Sequence, residues 1–118
     1  MIVIIFRSRI TAAAGDDYQR ALVEMGEYVK SQPGFIAVRS YTAADGERLT
    51  LVWWKDKETL ELWRQNQRHK AVKSTGRARW YELYHMEIAE VFLTSDFDRQ
   101  ATPAHIDSSS VAQRGDLL

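Results

Sequence analysis

Three histidines and four tryptophans dominate the chemistry open to this 118-residue chain, because it contains no cysteine. Thiolate catalysis and disulfides are therefore excluded. His69 stands between Arg68 and Lys70, and an imidazole titrates in the range that a general base needs. It reads either as that base or as a surface histidine. His85 and Glu87 alternate onto one face of a strand, where they form a polar pair or two ligands of a metal. No third ligand follows at a recognisable spacing, so no metal site is expected. His105 falls in a polar tail and is most simply solvated. Trp63 lies at helical spacing from Leu60, as a core residue or as the wall of a pocket. Arg79, next to Trp80, is one half of a surface ion pair or a handle for an anionic substrate.

Other chemistries lack their residues. There is no G-x-S-x-G elbow, no glycine-rich phosphate loop and no dinucleotide fingerprint, which leaves hydrolase, kinase and NAD-dependent functions without support. The formal net charge is zero but unevenly spread. From Leu62 to Tyr81 the chain carries Arg64, Arg68, Lys70, Lys73, Arg77 and Arg79 with no acid, and from Glu82 onward it turns acidic. Such a basic stretch raises a nucleic-acid reading. A solvated helix face, met by the acidic C-terminal part, accounts for it more simply, so no nucleic-acid partner is expected.

These residues need elements to position them, and a chain of this length forms one domain with a real core. Ile2 to Ile10 reads as a buried strand, rich in Ile and Val with Phe6. Asp16 is placed to cap a helix, with Gln19 completing a variant capping box; Tyr18, Leu22, Met25 and Val29 form its apolar stripe, and Pro33-Gly34 ends it. Strands from Phe35 to about Thr42 and from Leu49 to Trp54 form a hairpin through Ala44-Asp45-Gly46. Asp56 caps a second helix bearing Leu60 and Trp63, which breaks near Gln65 to Gln67, resumes through His69 and Val72, and ends at Gly76. A last strand runs from about Tyr81 to Leu93.

The order β-α-β-β-α-β predicts an α+β, ferredoxin-like domain: a four-stranded antiparallel sheet with its helices on one face. Residues 1–94 make up this domain, and 95–118 a polar tail, flexible or draped over a partner. Val3, Ile5, Leu83, Ala89 and Val91 make the second sheet face apolar too, which predicts a homodimer packed sheet to sheet. No apolar run approaches the roughly 18 residues of a membrane span. No basic leader or cleavage site precedes the first strand, so a cytoplasmic protein without a membrane partner is expected.

Over roughly residues 1–93 the chain resembles the antibiotic biosynthesis monooxygenase domains, small dimeric α+β barrels. The resemblance rests on Pro33-Gly34-Phe35 and on Trp53-Trp54 followed by Asp56 and Trp63. It also rests on His69 near the helix break and on Gly76-Arg77-Ala78-Arg79-Trp80-Tyr81 leading into the last strand. It implies an oxygenase without metal or flavin, in which an electron-rich phenol or hydroquinone reduces oxygen itself. His69 would be its base, and Trp63, Trp80, Tyr84 and Arg79 would line the pocket of a small aromatic ligand. No cofactor is implied. The same fold also fits a binding or stress-response module that performs no chemistry. Haem-degrading relatives are similar but carry an Asn and a His where this chain has Ser8 and Lys73, so no haem degradation is expected.

Overall fold

Isoleucine and valine dominate the first strand, and β-branched side chains fit a pleat buried on both sides. The computed structural model describes residues 1–100, and it places this strand, β1 (Ile2–Ile10), inside the sheet. The other elements are α1 (Asp16–Lys30), β2 (Phe35–Thr42), β3 (Arg48–Trp54), α2 (Lys57–Arg64), α3 (Gln67–Thr75) and β4 (Tyr81–Glu90). A single π-helical turn, Gly76–Trp80, joins α3 to β4. The strands lie in the order β2-β3-β1-β4, each pair antiparallel. That is the expected ferredoxin-like plan.

Cross-strand pairing sorts the helix side of the sheet into rows, because directly opposed residues share a face. Trp54 stands opposite Ile2; then come Val38–Val52–Ile4–Ile88, Ser40–Thr50–Phe6–Met86, and Thr42–Arg48–Ser8–Tyr84. The floor thus grades from apolar at the Ile2 end to polar at the Ser8 end. Over the apolar end sits the core of Ile2, Ile4, Val29, Trp54, Leu60 and Trp63. Trp54 is fully buried, with Phe35 edge-on at 6.0 Å and Trp63 tilted at 5.8 Å. Burying an apolar side chain of this kind contributes roughly 1.5–3 kcal/mol.

Two caps fix the break between α2 and α3. The Asp56 carboxylate accepts from the Thr59 amide at 2.9 Å and from its hydroxyl at 2.8 Å, as the sequence predicts for a cap. Asn66 then starts α3: its side-chain oxygen accepts from the His69 amide at 3.0 Å, while its amide nitrogen donates to the Tyr28 hydroxyl at 2.8 Å. The chain turns here because Asn66 satisfies the first free N–H of a new helix.

Several expectations need correction. Asp16 is the first residue of α1 rather than its cap, and the carboxylate that accepts a backbone N–H, that of Tyr18, belongs to Asp17. Gly76 does not end the helical segment, which continues through the wider turn to Trp80. Its small size serves a close approach instead: an added Cβ would lie 2.6 Å from the Tyr81 ring. The last strand stops at Glu90. The second sheet face is not uniformly apolar. Val3, Ala37 and Trp53 are buried there with Ile5, Leu51 and Val91 packed against them, whereas farther along Arg7 pairs with Glu47 at 3.0 Å and Arg9 with Asp45 at 2.7 Å. The tail from 95 lies mostly outside the described residues, and so does His105.

Gly34 gives the fold a sharp test. Its φ is +78°, and a Cβ placed on it would sit 2.1 Å from the Thr59 hydroxyl oxygen. Gly26, within α1, has nothing within 4 Å of the same position. Gly34→Ala should therefore lower stability by at least ~1–3 kcal/mol, while Gly26→Ala should raise it by ~0.5–1 kcal/mol. Denaturant midpoints of the two variants check both signs.

Candidate functional site

Between the helix face of the sheet and the helices α1 and α3 lies a cavity of about 490 Å³. That volume suits a small organic ligand. The rows from Ile4 to Ser8 form its floor, α1 contributes Met25 and Val29 to one wall, and Trp63, His69, Val72 and Lys73 form the other. At the Ser8 end the cavity is lined by aromatic rings. Tyr84 stacks on Phe6 at 5.2 Å, Tyr81 meets Phe6 at 5.6 Å, and Tyr18 meets Trp80 edge-on at 5.6 Å.

His69 is set on this wall by the Asn66 cap, which folds the first turn of α3 back over α2. The imidazole stacks on Trp63 with ring centres 4.4 Å apart and planes at 28°. Burial, aided by the charge of Lys73 and opposed by the Trp63 carbonyl, lowers its pKa from 6.5 to about 4. Its Nδ1 is buried and, among the described residues, has no hydrogen-bond partner. The ring is thus neutral at physiological pH and able to accept a hydrogen bond, but it holds a captured proton weakly.

The phenols at the other end behave differently. Burial pushes Tyr81 up to about 12 and raises Tyr18 as well, with Arg48 opposing both shifts. Both hydroxyls therefore keep their protons and serve as donors. Trp80 is fixed by its indole N–H, which donates to the Asp17 carboxylate at 3.1 Å; that bond is the main cause of the low pKa of Asp17.

Of the residues expected at the site, His69, Trp63, Trp80 and Tyr84 all line the cavity, although Trp63 lies beside His69 and the other two belong to the far end. Arg79 does not line it: its guanidinium pairs with Asp17 at 3.1 Å on the surface, the plainer of its two readings. Arg64 pairs with Glu61 at 3.2 Å, and Arg68 lies over the Tyr28 ring at 4.0 Å. Among the described residues, Glu61 and Asp17 supply the carboxylates that the basic stretch meets. His85 and Glu87 form the expected polar pair, at 3.4 Å on the open face. Among the described residues no group of three or more His, Cys, Asp or Glu side chains could hold a metal ion. Sequence reasoning did not assign Phe6, Ser8, Tyr18, Arg48 or Tyr81 to the site. The one usable signal was strand register, which sets Arg48 opposite Ser8 once the hairpin is drawn.

A small α+β domain with an aromatic cavity between sheet and helices is the class of protein that fold and site define. The family model described as antibiotic biosynthesis monooxygenase matches residues 1–75, and the chain belongs to that family. It is 35% identical over 74 residues to YqjZ, an uncharacterised protein of Bacillus subtilis (strain 168), a match covering 63% of this chain and 65% of YqjZ. Among solved structures it is similar to SnoaB, a cofactor-independent oxygenase from Streptomyces nogalater, with a TM-score of 0.67 at 13% identity, covering 79% of this chain and 94% of SnoaB. Rv0793 from Mycobacterium tuberculosis is also similar, with a TM-score of 0.66 at 14% identity, covering 85% and 98%. No helix among the described residues is long and apolar enough to cross a membrane.

The buried imidazole makes stability depend on pH. With a folded pKa of about 4 against 6.5, the unfolded chain binds more protons at this site anywhere between those values. Stability is therefore fully present above about pH 6.5 and declines as pH falls toward 4. His69→Phe, which keeps a ring against Trp63, should remove this decline. Urea midpoints between pH 7 and pH 4 for both proteins test it.

Proposed function

We propose that the cavity binds an electron-rich phenol or hydroquinone and oxidises it with dioxygen, with His69 as proton acceptor and neither metal nor flavin taking part. The observation that carries this reading is the His69 ring, neutral and stacked at 4.4 Å on Trp63 at the wall of an aromatic cavity. The substrate hydroxyl gives its proton as the ring passes an electron to oxygen. Superoxide and the ring radical join in a carbon–oxygen bond, the O–O bond breaks, and water leaves. One oxygen atom stays on the ring as a quinone carbonyl, the other becomes water, and the substrate supplies all four electrons. The likeness to SnoaB supports such chemistry on this fold.

Oxygen uptake with a panel of hydroquinones and naphthols, all protein metal-stripped by chelator, tests it. His69→Ala should slow turnover by ~10²–10⁴-fold. Trp63→Phe, which leaves a ring for His69 to stack on, should slow it less. No turnover above the spontaneous rate would transfer the cavity to a second reading, a binding module without chemistry, which the apolar floor at the Ile4 end favours.

The same reading takes the protein as a cytoplasmic homodimer. Its support is the apolar surface along and beyond β4, where Leu83 is 48%, Phe92 95% and Leu93 67% exposed. A specific interface there would bury ~1,200 Å² or more in total. Light scattering at micromolar concentration should report twice the chain mass, and Phe92→Asp should reduce it toward the monomer.

A further inference from the structure

The basic stretch from Arg64 to Arg79 does not lie along the surface as a track. Arg68 is laid over the Tyr28 ring at 4.0 Å, and Arg79 is paired with Asp17 at 3.1 Å. The other four cations, Arg64, Lys70, Lys73 and Arg77, gather with Gln65 around a second, open pocket of about 320 Å³, where the end of α2, α3 and the π-helical turn meet. No acid lines it. Arg64 is paired with Glu61 at 3.2 Å, while Lys70 donates to the neutral Gln65 side-chain oxygen at 2.9 Å. Among the described residues, Lys70, Lys73 and Arg77 have no carboxylate within ion-pair distance.

A cation in the last turn of a helix offsets the exposed carbonyls there, which accounts for Arg64 and for Lys73 singly. It does not account for their convergence with Lys70 and Arg77. Positions 70, 73 and 77 stand three and four residues apart, the spacing at which like charges on a helical segment repel and cost stability. An anion seated among them removes that cost. Three uncompensated charges at one spot fit a multiply ionised oxyanion, with the lysines as point charges and the arginine as a fork, rather than the spaced phosphates of a nucleic acid. We propose that this pocket holds the diphosphate group of a small ligand from solvent, with Lys70, Lys73 and Arg77 as its donors, and that its occupancy is transmitted to His69 through Lys73.

The route for that coupling is a shared wall. Arg64 and Lys73 line both this pocket and the aromatic cavity, and Arg77 donates to the hydroxyl of Tyr84, a cavity residue, at 3.5 Å. The other charges that face His69 are committed elsewhere. On α1 Lys30 pairs with Glu27, on α2 Arg64 pairs with Glu61, and Arg48 of β3 stands in the Ser8 row at the other end of the floor. Of its own helix, Arg68 and Lys70 are held by Tyr28 and Gln65. Lys73 is the charge that acts on the imidazole, disfavouring its protonated form. An anion on Lys73 opposes that effect, so a filled pocket makes His69 the better proton acceptor. Neither the pocket nor the coupling requires the oxidation chemistry.

Nuclear magnetic resonance of the full chain tests both parts, with inorganic pyrophosphate as probe and sodium chloride at equal ionic strength as reference. Pyrophosphate should give saturable amide shifts centred on residues 64–77 and move the His69 titration to higher pH. Lys73→Met and Arg77→Met should each weaken binding roughly tenfold, the loss of one charge-assisted contact. Arg39→Met, the same charge change on the opposite sheet face, should bind as wild type. Lys73→Met should also raise the His69 titration without any anion and prevent pyrophosphate from moving it further. If Lys73→Met does not fold, Arg77→Met, at an exposed position, decides the site. Adenosine diphosphate binding as tightly as pyrophosphate assigns recognition to the diphosphate alone, and tighter binding adds a nucleoside beside it; both support the site. Shifts matched by chloride, or equal weakening by Arg39→Met, overturn it. So does an oligonucleotide that binds far more tightly and displaces pyrophosphate. Saturable binding that leaves the His69 titration of wild type unmoved overturns the coupling.

Discussion

The stack of Trp54, Trp63 and His69 carries both the core and the site. Trp54 anchors it against the sheet, Trp63 leans on Trp54 at 5.8 Å, and His69 lies on Trp63 at 4.4 Å. Each aromatic pair adds about 0.5–1.5 kcal/mol beyond the area it buries. One continuous packing thus fixes the end of β3, the inner face of α2 and the first turn of α3. The position of the imidazole is a consequence of core packing, and its lowered proton affinity is a consequence of the same burial. A change at Trp63 consequently acts on stability and on the site at once. Changes at Arg48 or Ser8 act at the far end, where the floor is polar and the core contributes less.

A second clamp holds that far end. Asp17 accepts from the Trp80 indole and pairs with Arg79, so a carboxylate in the first turn of α1 fixes a ring that lines the cavity. The acid also suits the positive end of the helix dipole. The Thr11 hydroxyl donates to the Arg79 carbonyl at 2.8 Å, and the Thr11 amide to the Trp80 carbonyl at 2.7 Å, which joins the end of β1 to the π-helical turn. The wider turn and the glycine that opens it bring the Tyr81 ring against the chain closely enough to face Phe6 and Tyr18.

The strands were legible because their signal is local. Ile2–Ile10 follows from a run of β-branched residues, and the hairpin from its turn residues. The α2–α3 break could be placed, but not its cause, because Asn66 works through one backbone amide and one distant phenol, and only the first is local. Gly76 was read as a helix stop on propensity, whereas it is shaped by the ring of Tyr81. The aromatic end of the cavity was legible only through Trp80 and Tyr84. Phe6, Tyr18, Arg48 and Tyr81 come from four elements and meet through topology, and each alone looks like a strand or helix residue. Even His69 gave no sign in sequence that it would be buried: its neighbours are Arg68 and Lys70, and only the cap at Asn66 turns it inward.

That burial constrains the proposed chemistry in a specific way. A general base that must end a reaction charged needs its surroundings to hold its proton, and burial of His69 outweighs the support its protonated form has from the Trp63 carbonyl. Lys73 makes a positive imidazole less favourable still. A strongly basic histidine would keep the proton it removes and stall. In the oxidation proposed, both hydrogens lost from the ring end on the departing water, so the proton taken from the substrate has to be given back to reduced oxygen within the same turnover. A site with low proton affinity releases it readily. Burial thus weakens His69 as a lasting acceptor while suiting it to brief custody of a proton, and the stack on Trp63 keeps the ring in place for both transfers.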